Sequence, residues 1–207
     1  MKGLTMYFMG MKDEALKAVE DANLVMREII PDDPADFEHF QAIIYMETGD
    51  PERAESILRS LDASIENSDA SFVKASQKLM WGKLALVRKN YDAAIALMIE
   101  AADISRSSLG PWCEYELAKT YIQAGQPGKA IPLLEHRNTT IESLLNRPPV
   151  RSALGHYYLG QAYEADGQKK KAVESYETFL TIWKNADPGI KDMADARERL
   201  AKLKKSL

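Results

Sequence analysis

Cysteine is nearly absent: Cys113 is the one thiol in 207 residues. No internal disulfide and no thiolate zinc set can form, and a reducing compartment, the cytoplasm, is the expected setting. Long apolar runs are missing as well, since none approaches the roughly 20 residues that cross a bilayer. Residues 1–10 hold one basic side chain, no sustained apolar core and no cleavage site, which argues against a signal peptide. Excess positive charge is absent too. A net charge of −4 with a pI near 5.5 is the wrong sign for a phosphate-binding surface, so no nucleic-acid partner is expected.

Motifs that carry chemistry are also lacking. Gly125-Gln126-Pro127-Gly128-Lys129 reads as a helix turn, not a phosphate loop. His39, His136 and His156 fall in three separate segments without i, i+4 partners, so no metal site is assigned. Cys113 reads as a small helix residue, and the carboxylates are scattered along solvated faces with no acid–base pair among them. Lys169-Lys170-Lys171 opens a helix poorly suited to positive charge and reads as solvated surface. No catalytic residue and no cofactor is assigned, and the chain is not expected to be an enzyme.

Repetition is present instead. Ala15, Ala54, Ala94, Ala130 and Ala172 each follow a turn, and twelve residues before each stands a small residue: Gly3, Ala42, Gly82, Ala118 and Gly160. Nine before, three sites carry tyrosine (Tyr45, Tyr121, Tyr163). Five before, glycine occurs at Gly10, Gly49, Gly125 and Gly167, with Lys89 as the exception. Four after comes a large apolar side chain: Val19, Leu58, Met98, Leu134 or Tyr176. Helices that cross closely need small residues where their backbones approach and large ones on either side. Glycine before the second helix supplies the left-handed residue that ends the first. Asp50-Pro51-Glu52 then has the order of a cap, a first-turn proline and a carboxylate on the positive helix end. Each unit therefore reads as helix, tight turn, helix.

Leu159-Gly160-Gln161-Ala162-Tyr163 with Ala172 and Tyr176 resembles the tetratricopeptide (TPR) pattern, and Leu117-Ala118-Lys119-Thr120-Tyr121 with Ala130 and Leu134 is a second copy. Looser copies are Trp81-Gly82 with Ala94 and Met98, and Ala42 and Tyr45 with Ala54 and Leu58. The resemblance implies an all-α fold, a right-handed α-solenoid of stacked antiparallel hairpins with a C-terminal capping helix. A single domain over 1–207 is expected. Its units lie near 1–30 (truncated), 35–65, 71–106, 111–145 and 150–185, with a capping helix near 189–205. The anchors are spaced 39, 40, 36 and 42 residues apart, against about 34 in the regular family. The surplus falls after the second helices, in 62–70 and 138–149.

The same resemblance implies a concave face lined by the first helices. It maps His39, Ile43, Met46 and Glu47; then Leu79, Lys83 and Val87; then Trp112, Tyr115, Lys119, Ile122 and Gln123; and finally Tyr157, Gln161 and Glu164. Aromatic and lysine side chains in a groove have the composition of an interaction hot spot. A protein or peptide partner is expected there. The Lys/Asn set with which family members grip chaperone tails is missing, because His39, Ile43, Met80, Trp112 and Glu116 stand at those positions. About the last 55 residues are similar to the C-terminal TPR tails of bacterial signalling proteins, namely serine/threonine kinases and winged-helix regulators. The chain is accordingly expected to be the interaction region of a larger such protein. Leu4, Met6, Tyr7, Phe8 and Met9 at the start suggest the alternative, a homodimer formed through the uncapped N-terminal end.

Overall fold

The computed structural model describes residues 11–29, 35–65, 70–104, 110–139, 149–185 and 190–207; for some residues at the helix ends only the backbone is described. Ten helices run through them: α1 Lys12–Ile29, α2 Ala35–Thr48, α3 Pro51–Ile65, α4 Ser71–Val87, α5 Tyr91–Ile104, α6 Gly110–Gln123, α7 Pro127–Thr139, α8 Pro149–Ala165, α9 Lys169–Ile182 and α10 Lys191–Lys205. The fold is all-α. It divides into two compact units, Met1–Cys113 and Glu114–Leu207, with the boundary inside α6. Residues 1–10, on which dimerisation through the N-terminal end was expected, lie outside the described residues, as do 66–69 and 140–148 of the long connectors.

One local device closes each of the four hairpins among the described residues. Gly49, Gly125 and Gly167 stand at φ +88, +70 and +80, and Lys89 takes the same left-handed conformation at φ +58. The amide of the next residue then reaches back to the carbonyl four positions before the left-handed one. Asp50 N–H donates to Tyr45 O at 2.9 Å, Asn90 to Ala85 at 2.9 Å, Gln126 to Tyr121 at 2.8 Å and Gln168 to Tyr163 at 2.8 Å. This is the closing bond of a Schellman turn, which satisfies carbonyls left open at the helix end. The following helix is capped where the sequence provides an oxygen: Arg53 N–H donates to Asp50 Oδ1 at 3.1 Å, and Ala93 N–H to Asn90 Oδ1 at 3.3 Å.

Close crossing follows from the small residues. Ala42, Ala118 and all five anchor alanines are fully buried. A Cβ on Gly160 would stand 2.7 Å from the Tyr176 ring, and one on Gly82 would stand 3.0 Å from Met98 Cγ. Leu58, Leu61, Leu79, Leu84 and Met98 fill the first unit; Leu134, Tyr176 and Phe179 fill the second. Successive hairpins are also joined by a repeated polar bond. Tyr45 OH donates to Glu20 Oε1 at 2.9 Å, and Tyr163 OH donates to Glu135. Both glutamates stand five residues after an anchor alanine, whereas Ile99 occupies that place after Ala94. The last helix, α10, buries Met193, Ala196 and Leu203 against α9 and leaves its lysines outside.

Candidate functional site

Burial on the first helices repeats from hairpin to hairpin. Three residues before each small residue stand His39, Leu79, Tyr115 and Tyr157, and all four are buried. One residue after it stand Ile43, Lys83, Lys119 and Gln161, all half-buried. Five after it stand Glu47, Val87, Gln123 and Ala165, all exposed. Steps of four residues stay on one side of a helix. Each first helix therefore carries a stripe that begins in packing and ends in water. Met46 is buried, and Ile122 and Glu164 are half-buried. The Trp112 side chain lies outside the described residues.

In the first unit His39 is a strut. Its Nε2 meets Gln77 Oε1 at 2.7 Å, and Gln77 Nε2 donates to Leu58 O and Asp62 Oδ1, both at 2.7 Å. This joins α2, α3 and α4 through groups that would be costly to leave unpaired. Trp81 Nε1 also donates to Asp62, at 3.1 Å, and the Arg59 guanidinium lies 5.7 Å from the Trp81 ring centre. Arg59, Asp62, Gln77, Lys78, Trp81 and Leu97 line an open cleft of about 770 Å³ between α3, α4 and α5. Lys78 is held by Glu100 at 2.5 Å. This cleft was missed from sequence, where Trp81 was read only as part of the repeat pattern. Its signal is the pair Arg59 and Asp62, three apart at the end of the preceding helix.

In the second unit the first-helix residues are bound up with α10. Tyr157 OH donates to Asp195 Oδ2 at 2.7 Å, and Tyr176 OH donates to Glu164 Oε2 at 2.8 Å. Arg199 bridges the two carboxylates, at 2.6 Å from Asp195 and 3.0 Å from Glu164. Gln161 adds a further bond to Asp195. Tyr157, Gln161 and Glu164, mapped as ligand contacts, thus serve to hold the last helix. Burial and the bond to Asp195 push the Tyr157 phenol well above its ordinary value. Burial would raise the Asp195 carboxyl, but the donors Tyr157 and Arg199 outweigh it and bring it below the usual range. Asp192 is raised by its burial. Beside this node Lys119 bonds Glu116 at 3.1 Å and lies 5.5 Å from the centre of the Tyr158 ring, which in turn stacks obliquely on Tyr115 and Tyr157. The tyrosines brace one another, while Lys119 and Gln123 retain contact with water.

Hairpins closed by a left-handed residue, crossed at a small-residue pair and stacked by second-helix contacts define a helical-repeat fold of the tetratricopeptide type. Residues 155–186 match the family model for the tetratricopeptide repeat, so most of α8 together with α9 is such a repeat. Solved structures extend the likeness over the chain. BtubC (BKLC) from P. vanneervenii superposes with a TM-score of 0.72 at 16% identity, covering 97% of this chain and 83% of that one. A thermophilic TPR protein of Thermus thermophilus gives 0.65 at 17% identity, covering 98% and 95%. A putative kinesin light chain of Podosopora anserina with nearly identical TPR-like repeats gives 0.61 at 20% identity, covering 87% and 91%. Such identities establish the fold alone. No curated protein matches the chain significantly.

Proposed function

We propose that the chain is a non-catalytic scaffold that binds a protein or peptide along the faces of its first helices. The observation that carries this reading is the repeated step from half-buried to exposed at equivalent positions: Ile43 to Glu47, Lys83 to Val87, Lys119 to Gln123. These positions pass from half-buried to exposed and present an apolar, acidic and basic mixture at regular intervals, which suits an extended segment read residue by residue. Most titratable groups deeper in the hairpins are spent on holding helices together, as the His39–Gln77 and Arg199–Glu164 contacts illustrate.

The resemblance read from the sequence of about the last 55 residues motivates a narrower proposal, that the chain is the interaction region of a larger bacterial signalling or regulatory protein. The test is affinity capture from the native host with the wild type, with Lys83→Glu/Lys119→Glu, and with Thr178→Lys on the exposed side of α9 as control. Partners kept by the wild type and the control and lost by the double variant are expected. A double variant that keeps every partner would remove the first-helix faces from the account.

A further inference from the structure

We propose that the lysine-rich end formed by α9 and α10 of one copy docks on the acidic outer face of α1 of a second copy, head to tail. Lys169, Lys170 and Lys171 open α9, and Lys202, Lys204 and Lys205 close α10; all six are exposed. The helix ends meet, since Lys169 Nζ lies 3.5 Å from Ser206 O and Lys204 bonds Glu177 across the pair at 2.6 Å. Lys202 is paired with Glu198. Among the described residues Lys169, Lys170, Lys171 and Lys205 have no carboxylate partner. The lysines of α10 suit the negative end of their helix, but those of α9 sit on a positive end, where like charge is unfavourable. Four other helices place acid in that first turn, with Asp13 and Glu14 of α1, Glu52 of α3, Asp92 of α5 and Asp192 of α10. Within the described residues Lys169 reaches only the Ser206 carbonyl and Lys171 only the Tyr163 ring, 5.0 Å from its centre, so the charge of all three stays unneutralised.

The complementary charge is in the chain itself. Its net charge is −4 with these six lysines and −10 without them. On α1, Asp13, Glu14, Asp21 and Glu28 outnumber the one exposed lysine among its described side chains, Lys17, and share its side of the helix with Leu24 and Val25, which are 66% and 54% accessible. Among the described residues none of the four acids forms an ion pair. Lysine stems can lie over two exposed apolar side chains while their ammonium groups meet carboxylates. The patch has no arginine and no exposed aromatic to stack on bases, which turns the choice away from nucleic acid. The contact is heterologous and uses none of the side chains assigned to peptide binding above.

Sedimentation velocity at low and high salt tests it, with a basic-end variant (Lys169→Glu/Lys170→Glu/Lys205→Glu) and an acidic-face variant (Asp13→Lys/Asp21→Lys/Glu28→Lys). All six positions are exposed, and circular dichroism confirms that each variant is folded. The wild type is expected to associate at low salt, and either variant alone to associate about tenfold more weakly. An equimolar mixture of the two variants, which pairs native face with native end and reversed end with reversed face, is expected to regain association. A wild type that stays monomeric at low salt, whether or not it binds duplex DNA or anionic vesicles, overturns the proposal. So does association that neither variant weakens, or a mixture that does not associate.

Discussion

Lys89 shows at a single residue what the turn requires. Its backbone adopts the left-handed conformation that glycine supplies in the other described turns, and it completes the same closing hydrogen bond. A side chain there costs free energy that glycine avoids, offset in part by glycine's greater freedom when unfolded. Lys89→Gly is expected to stabilise by about 0.5–1 kcal/mol, and Gly125→Ala to destabilise by a similar amount, both read from the urea midpoint. Gly160 is constrained differently. Tyr176 is fully buried, and its hydroxyl is tied to Glu164, so the ring cannot swing aside for a new methyl group. Gly160→Ala should lose about 1–3 kcal/mol. Both glycine roles were legible from offsets alone. His39 was not, because its burial depends on Gln77, which lies 38 residues away in another hairpin.

Among elements, α10 has the clearest electrostatic anchor. Asp195 has a folded pKa below its ordinary value, so its contribution is complete above about pH 4 and is lost as pH falls through that lower value. Asp192 is shifted the other way, so its burial costs stability once it ionises. The protection of α10 amides, exchange rates being taken relative to the intrinsic rate at each pH, is expected to fall as the pH drops below about 4. Asp195→Asn should flatten that acid limb, while Asp192→Asn should slow exchange at neutral pH. A steep acid limb retained in Asp195→Asn would show that other carboxylates dock the helix. The amphipathic stripe of α10 was readable in sequence. Its polar grip on α8 was not, since nothing in the spacing of Tyr157, Gln161 and Glu164 distinguishes a contact with the last helix from a contact with a ligand.

For the whole molecule, the hairpin architecture was legible because a repeat states the same packing rule several times, and chance matches do not persist at fixed offsets. The face was legible only in part. Family mapping proposes one side of each first helix, but burial along that side depends on how neighbouring helices cross, which puts Tyr115 and Tyr157 in packing, leaves Lys83 and Lys119 half-buried and exposes Gln123. Binding along that exposed row is the central claim. Its most direct test is hydrogen exchange with and without a short peptide selected against the purified protein from a phage-displayed library. Protection at residues 43–47, 83–87 and 119–123 is the predicted result. Protection confined to the second helices α3, α5, α7 and α9 would contradict it.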